Sequence, residues 1–421
     1  MDRLLIHGGR PLEGTTRASG SKNSSLPILA ATLLASEPVC LNSLPHLRDI
    51  TTMVELLVEL GANVSVDERL GVTVDTNTIR VLRAPYDLVR KMRASFLVLG
   101  PLLARYGKVE VSLPGGCAIG TRPVDQHLKA LEQMGADLVI EDGYVKASCD
   151  KGLVGANIRM DLVTVGGTQN VMMAATLAKG TTVIENAARE PEIVELASCL
   201  RAMGAQISGE GTETIVVEGR EQLGGCMYRV MSDRIEVGTY LIAAAATGGH
   251  LRVDEACPET LGAVLAKLGD FGCRVIVDGS TIELDARGFT PSAADVRTEA
   301  YPGIPTDLQA QFMALNCVSE GQGRITETVF ENRFMHVQEL VRLGASIRLE
   351  NPTTAVVTGV KELRGAQVMA TDLRASSSLV IGALAAVGTT TISRIYHIDR
   401  GYECIEEKLR WLGADIERLH V

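Results

Sequence analysis

Aromatic side chains are scarce in this chain, at 4% of 421 residues, with a single tryptophan. A core of this size must then be filled by aliphatic groups and alanine, and 42 glycines add many turns. Long apolar runs are missing too. The longest, Leu379 to Val387, falls far short of the roughly 18 residues a membrane-spanning helix needs. The start, MDRLLIHGG, lacks the charged-then-apolar pattern of a secretory signal. Basic charge is not in excess: 41 Lys and Arg face 51 Asp and Glu, a net charge of -10. That balance argues against a general nucleic-acid binder, whose phosphate partner demands a basic face. Any anionic ligand must be caught by local clusters of Lys and Arg. The nine cysteines are odd in number and show no CxxC or Cys/His cluster, which reads as reduced thiols without disulfides or metal. Neither GxxxxGK[ST] nor a helix-opening GxGxxG is present. These absences predict a cytoplasmic protein that needs no metal and no cofactor.

What is present is repetition. The phrase LVELGANV at Leu57 returns as LEQMGADLVI, LRAMGAQI, LVRLGASI and LRWLGADI, with a looser copy, LAKLGDFGCRVIV, at Leu265. Its glycines, Gly61, Gly135, Gly204, Gly272, Gly344 and Gly413, recur about every 70 residues. Each phrase reads as the end of an amphipathic helix, capped by a glycine able to take positive φ, leading into an alternating strand. Upstream of each lies a helix rich in small apolar residues, such as GTQNVMMAATLA or RASSSLVIGALAA. Several are apolar nearly all round, as fits burial on every side. At this length two domains are the default, and six copies fit two domains of three units; a linear solenoid is the competing arrangement.

Charged residues sit where helix physics disfavours them. Lys22, Arg93 and Arg374 stand at the starts of buried helices, where the helix dipole is positive. A cation belongs there if an anion lies between it and the free amides; a solvated surface position is the alternative for any one of them. Further cations, Arg48, Arg122, Arg333 and Arg400, fall in unit loops, and Asp307 opens the fifth buried helix. Asp233, Arg234 and Glu236 read as a structural ion-pair group, and His127 and His397 as hydrogen-bonding walls rather than bases. The stretch from Val111 to Asp125, VSLPGGCAIGTRPVD, places Cys117 between glycine hinges five residues before Arg122. It reads either as a passive surface turn or as a mobile loop carrying a reactive thiol.

Eight segments in order, SGSKNSSLP, APYDLVRKMRAS, SLPGGCAIGTRPVD, ENAAREPEIV, PTDLQAQF, ETVFENRFMH, ATDLRAS and IYHIDRGYE, closely resemble the UDP-N-acetylglucosamine 1-carboxyvinyltransferase family of enolpyruvyl transferases. The resemblance covers essentially the whole chain. It implies an α/β fold, a two-domain inside-out α/β barrel of six βαβαββ-like units. Residues 22–231 would form the first domain, carrying the Cys117 lid loop. Residues 1–21 with 232–421 would form the second, and the active site would lie in the cleft between them. The implied reaction moves enolpyruvyl from phosphoenolpyruvate to the 3′-hydroxyl of UDP-N-acetylglucosamine and releases phosphate, the first committed step towards peptidoglycan.

By the same resemblance Lys22, Asn23, Arg122, Arg374 and Arg400 would hold phosphoenolpyruvate. Cys117 would donate the proton, form a covalent pyruvate-type adduct and be alkylated by fosfomycin. Asp307 would be the base at the 3′-hydroxyl, with Lys22 and Arg400 counted among the catalytic groups. Arg93, Arg122, Pro123, Val124, Asp125, Gln126, Leu162, Val163, Thr164, Val165, Asp307 and Val329 would line the UDP-sugar site. The chain departs from the family at Leu162, where lysine is common, at Arg48, where lysine is frequent, and at Gln126, a usual leucine. Two rival readings are enolpyruvyl transfer to shikimate 3-phosphate, which the cysteine loop disfavours, and a catalytically silent UDP-sugar-binding paralogue.

Overall fold

The computed structural model describes residues 2–68, 70–114 and 124–420. The chain divides into two compact units. One, here the continuous unit, takes the described residues from 20 to 114 and 124 to 231; the other, the split unit, joins residues 2–19 to 232–420.

Each unit is built from three four-stranded sheets and three largely buried helices. In the continuous unit these helices are α1 (Lys22–Ala31), α2 (Leu99–Tyr106) and α3 (Val165–Ala175). In the split unit they are α4 (Arg234–Ala246), α5 (Gln309–Cys317) and α6 (Ala375–Ala385), which pack against one another in all three pairs. Small residues allow this. In α6 every residue from Ala375 to Leu384 is buried, which no one-sided amphipathic helix could achieve. Each unit has its own apolar core, dominated by Leu, Ile, Val, Ala and Met. This is an α/β architecture of six mixed sheets, two sets of three.

Every sheet has the same plan. An edge strand runs parallel to the second strand, and the remaining pairings are antiparallel. In the sheet Arg83–Ala84, Lys108–Ser112, Tyr144–Ser148, Asp137–Glu141 all strands come from one stretch of sequence. Three sheets are closed from afar. In the continuous unit the late strand Met227–Arg229 lies beside Val39–Asn42. In the split unit Arg3–His7 is inserted between Thr389–Ser393 and Asp415–Leu419, and Glu13–Arg17 pairs with His250–Asp254.

The six repeat glycines all take φ between 90° and 105°, a region that disfavours side chains. Around each, the glycine N–H donates three residues back and the next N–H donates five residues back, as in Gly61 to Val58 and Ala62 to Leu57. The same pair of bonds recurs at Gly135, Gly204, Gly272, Gly344 and Gly413. These are six Schellman caps. The residue after each glycine, alanine five times and Cys273 once, is buried together with the leucine to which it bonds. Among the described residues no helix is long and apolar enough to cross a membrane.

Candidate active site

In the continuous unit Ser21 caps α1 by accepting from the Ser24 N–H at 3.2 Å, and Lys22 follows in the first turn. Its side chain is almost fully buried, with Nζ 2.8 Å from the Asp49 carboxylate. Asp49 opens the helix Arg48–Glu59. The anion facing this helix-head cation is thus a protein carboxylate, and burial makes each partner dependent on the other. Asn23 is half-buried beside it, and Arg48 points to solvent. Arg93 begins the short turn Arg93–Val98 that feeds into α2.

His127 sits on the helix Asp125–Gln133 and is buried. Its Nδ1 is 2.9 Å from the Asn170 amide of α3, and its ring meets Phe96 edge-on at 5.3 Å. Burial, and then the Arg93 guanidinium, push its pKa down to about 4. The imidazole is therefore neutral at physiological pH and serves as a hydrogen-bonding wall.

The carboxamide of Gln126 joins two segments that the sequence assigns to one site. It donates to the Asp161 carboxylate at 3.0 Å and accepts from the Asp161 backbone N–H at 2.8 Å. Val124, Asp125 and Gln126 are thereby placed beside the run Leu162 to Val165. Leu162 and Val163 project outward, 67% and 48% exposed. Thr164 caps α3 through the Gly167 N–H, and Val165 is its first residue. Cys117, Arg122 and Pro123 lie outside the described residues.

In the split unit Asp307 lies in the turn Thr306–Leu308 at the head of α5. One carboxylate oxygen accepts from Arg333 Nη2 at 2.7 Å, and the other is 3.4 Å from Arg374 Nε. Arg374 is buried, with Nη2 3.8 Å from Asp233, Nη1 donating to the Gly401 carbonyl at 3.3 Å, and its guanidinium 5.5 Å above the Tyr402 ring. Burial opposes its charge, but Asp233, Tyr402 and Asp307 outweigh that and hold it more firmly protonated than usual. Arg400 ends the turn Ile395–Arg400, immediately before Gly401.

Arg333 also donates to Thr306 Oγ1 at 2.6 Å, which donates to Glu327, which accepts from the Val329 N–H at 2.8 Å. A continuous polar chain thus links Val329 to Asp307. His397 stands near Arg400, and burial, followed by that arginine, lowers its pKa. Asp233, expected in a structural ion-pair group, caps α4 through the Ile235 and Glu236 N–H groups and faces Arg374. Glu236 pairs with Lys408 at 2.7 Å, and Arg234 lies over Tyr301.

Asp49, Asp161, Asn170, Glu327 and Tyr402 were not singled out in the sequence. For Asp49 a signal existed, an acidic residue one position past Arg48 at a helix start, where the dipole stabilises it. Among the described residues no group of three or more His, Cys, Asp or Glu could hold a metal ion.

Known proteins agree with this architecture. The solved enolpyruvyl transferase NikO from Streptomyces tendae is similar at 27% identity and a TM-score of 0.90, covering 100% of this chain and 99% of its own. An EPSP synthase from Acinetobacter baumannii superposes with a TM-score of 0.76 at 17% identity, each chain fully covered, a likeness of fold alone. A family model described as EPSP synthase (3-phosphoshikimate 1-carboxyvinyltransferase) matches residues 6–409. The chain belongs to that family and is an enolpyruvyl transferase by kind.

Proposed function

We propose that the protein transfers the enolpyruvyl group of phosphoenolpyruvate to the 3′-hydroxyl of UDP-N-acetylglucosamine, releasing phosphate. The observation that carries the reading is the head of α5, where the Asp307 carboxylate is fixed by Arg333 at 2.7 Å beside the buried Arg374. A carboxylate so oriented can take a proton from a hydroxyl, while nearby guanidinium groups match the anionic donor substrate. The choice of acceptor rests on the stretch from Val111 to Asp125, with its cysteine between glycines, and on the two hydrogen bonds between Gln126 and Asp161, next to residues 162–165.

In this reading Lys22, Asn23, Arg122, Arg374 and Arg400 hold the phosphate and carboxylate of phosphoenolpyruvate. The Cys117 thiol gives a proton to C3, and C2 becomes electron-poor. Asp307 removes the proton of the 3′-hydroxyl as its oxygen bonds to C2. Loss of a proton from C3 and of phosphate from C2 then yields the enol ether. The product would enter peptidoglycan precursor synthesis, and fosfomycin would alkylate Cys117.

The test is phosphate release from phosphoenolpyruvate with either UDP-N-acetylglucosamine or shikimate 3-phosphate as acceptor. Release with the UDP-sugar is expected. Release with shikimate 3-phosphate alone would replace the acceptor, and no release with either would favour a silent paralogue. Cys117→Ser should abolish labelling by fosfomycin; surviving label would place the reactive thiol elsewhere among the nine cysteines.

A further inference from the structure

The segment that follows Asp161 has an unusual balance of freedom and restraint. Leu162 and Val163 are large apolar side chains left 67% and 48% exposed, yet the backbone on both sides of them is tied down. On one side Thr164 is bonded to the Gly167 N–H as the cap of α3. On the other, Gln126 grips Asp161 twice: Oε1 accepts from the Asp161 N–H at 2.8 Å and Nε2 donates to Asp161 Oδ2 at 3.0 Å. The same Nε2 also lies 3.1 Å from Asp125 Oδ2. Lys129, one turn further along the helix, adds an ion pair to Asp161 Oδ2 at 2.6 Å. Lys129 first, and then the Gln126 amide, pull the Asp161 carboxyl below its ordinary range.

The chemistry of this grip suits glutamine. The carboxamide offers a donor to the carboxylate and an acceptor to the N–H at once, from two atoms on one planar group. Glutamate would set a second carboxylate against Asp161, and leucine would make neither bond. Gln126 is itself only 8% exposed, so its amide is shielded from competing water, whereas Lys129 and Asp161 are both more than half exposed. The buried amide, not the surface ion pair, is the durable part of the clamp.

We propose that Gln126 is a positioning residue for the nucleotide end of the substrate, acting through Asp161 to hold the Leu162–Val163 ledge in its binding conformation. This rests on the UDP-sugar reading above and goes beyond it, since it makes the side chain of Gln126 a fastener of the loop rather than a ligand contact. A ledge fixed in advance spares the substrate the entropy of ordering it. The ledge offers apolar surface where a cation would otherwise meet the nucleotide, so affinity depends on its being held still.

The experiment uses the full-length protein, steady-state kinetics and calorimetric binding of UDP-N-acetylglucosamine. Gln126→Leu keeps the volume and removes all three hydrogen bonds. It should raise KM and Kd for the UDP-sugar about tenfold while moving KM for phosphoenolpyruvate less than about twofold and leaving the protein folded by thermal melt. Lys129→Ala should shift the UDP-sugar KM less than about twofold. Gln126→Leu combined with Asp161→Ala should be no worse than either alone, because the two act through one another.

An unchanged UDP-sugar Kd in folded Gln126→Leu would overturn the proposal. So would an equal rise in both KM values, the mark of general damage, or additive losses in the double variant. The two readings fail differently. If the wild type binds the UDP-sugar without turnover, the reaction assignment falls and the Kd ratio still decides this proposal. If the wild type does not bind it, both fall.

Discussion

The two units share one plan but balance charge differently at the heads of their buried helices. In the split unit the heads of α4, α5 and α6 are joined in a single network. Arg374 lies between Asp233 and Asp307, Arg333 links Asp307 to Thr306, and the Tyr402 hydroxyl gathers Thr239, Gln311 and Ser377. In the continuous unit the described contacts are local. Lys22 meets Asp49, His127 meets Asn170, and Glu195 accepts from the Met231 N–H at 2.6 Å. Collective balance fixes the orientation of each member but makes every one depend on the rest. More local balance spreads the cost of changing one member over fewer partners. The unit holding the proposed base is the one whose side chains are most constrained, as suits a group that must meet a hydroxyl at one angle.

The contrast can be tested in descending order of effect. Asp307→Asn keeps an acceptor for Arg333 but removes the base; turnover should fall roughly 10²–10⁴-fold in a phosphate-release assay. Loss of less than tenfold would remove Asp307 from the chemistry. Lys22→Met removes the buried cation 2.8 Å from the Asp49 carboxylate and should cost about 3–5 kcal/mol in denaturant unfolding. Adding Asp49→Leu should restore most of that stability without restoring turnover. If the double variant stays unstable, the balance in the continuous unit is not local.

Glu195 supplies a third test. Burial raises its carboxyl to about 7, against 4.5 in the unfolded chain. The folded state therefore binds the proton more tightly than the unfolded state does, and stability falls as pH rises from 4.5 to about 7, by at most about 3 kcal/mol. Glu195→Gln should abolish this slope, so its melting temperature gains on the wild type between pH 5 and 7 and runs parallel above. Parallel melting curves throughout would show that Glu195 is ionised in the fold. The smallest effect is coupling: Arg333→Met and Arg374→Met together should differ from the sum of the singles by about 1–2 kcal/mol in unfolding free energy. Strict additivity would dissolve the network on which the comparison rests.

Much of the fold was legible because it is repeated and local. A glycine cap needs only positive φ at one position and a leucine five residues before the following alanine, and six copies reinforced one another. Helices apolar all round announce their own burial. The candidate site was legible in part. Lys22, Arg374 and Asp307 stood out as charges at helix heads, but their protein partners did not. Asp49 is separated from Lys22 by an entire buried helix and a strand, and Asp233 from Arg374 by most of the split unit. Pairings at such range are created by packing, and one sequence carries no local sign of them. Gln126 shows the same limit. Its departure from the family's usual residue was visible, while its grip on Asp161, 35 positions along, was not.

The strand Arg3–His7 lies between Thr389–Ser393 and Asp415–Leu419, and this imposes a timetable on synthesis. At roughly 5–20 residues per second, its partners leave the ribosome on the order of 20–80 s after it does. The continuous unit has all its strands well before then and can fold first. Meanwhile the sequence RLLIH, with Leu4 and Ile6 destined for full burial, waits as an unpaired apolar strand. The nascent chain therefore carries an unpaired, aggregation-prone strand until residues 389–419 follow it.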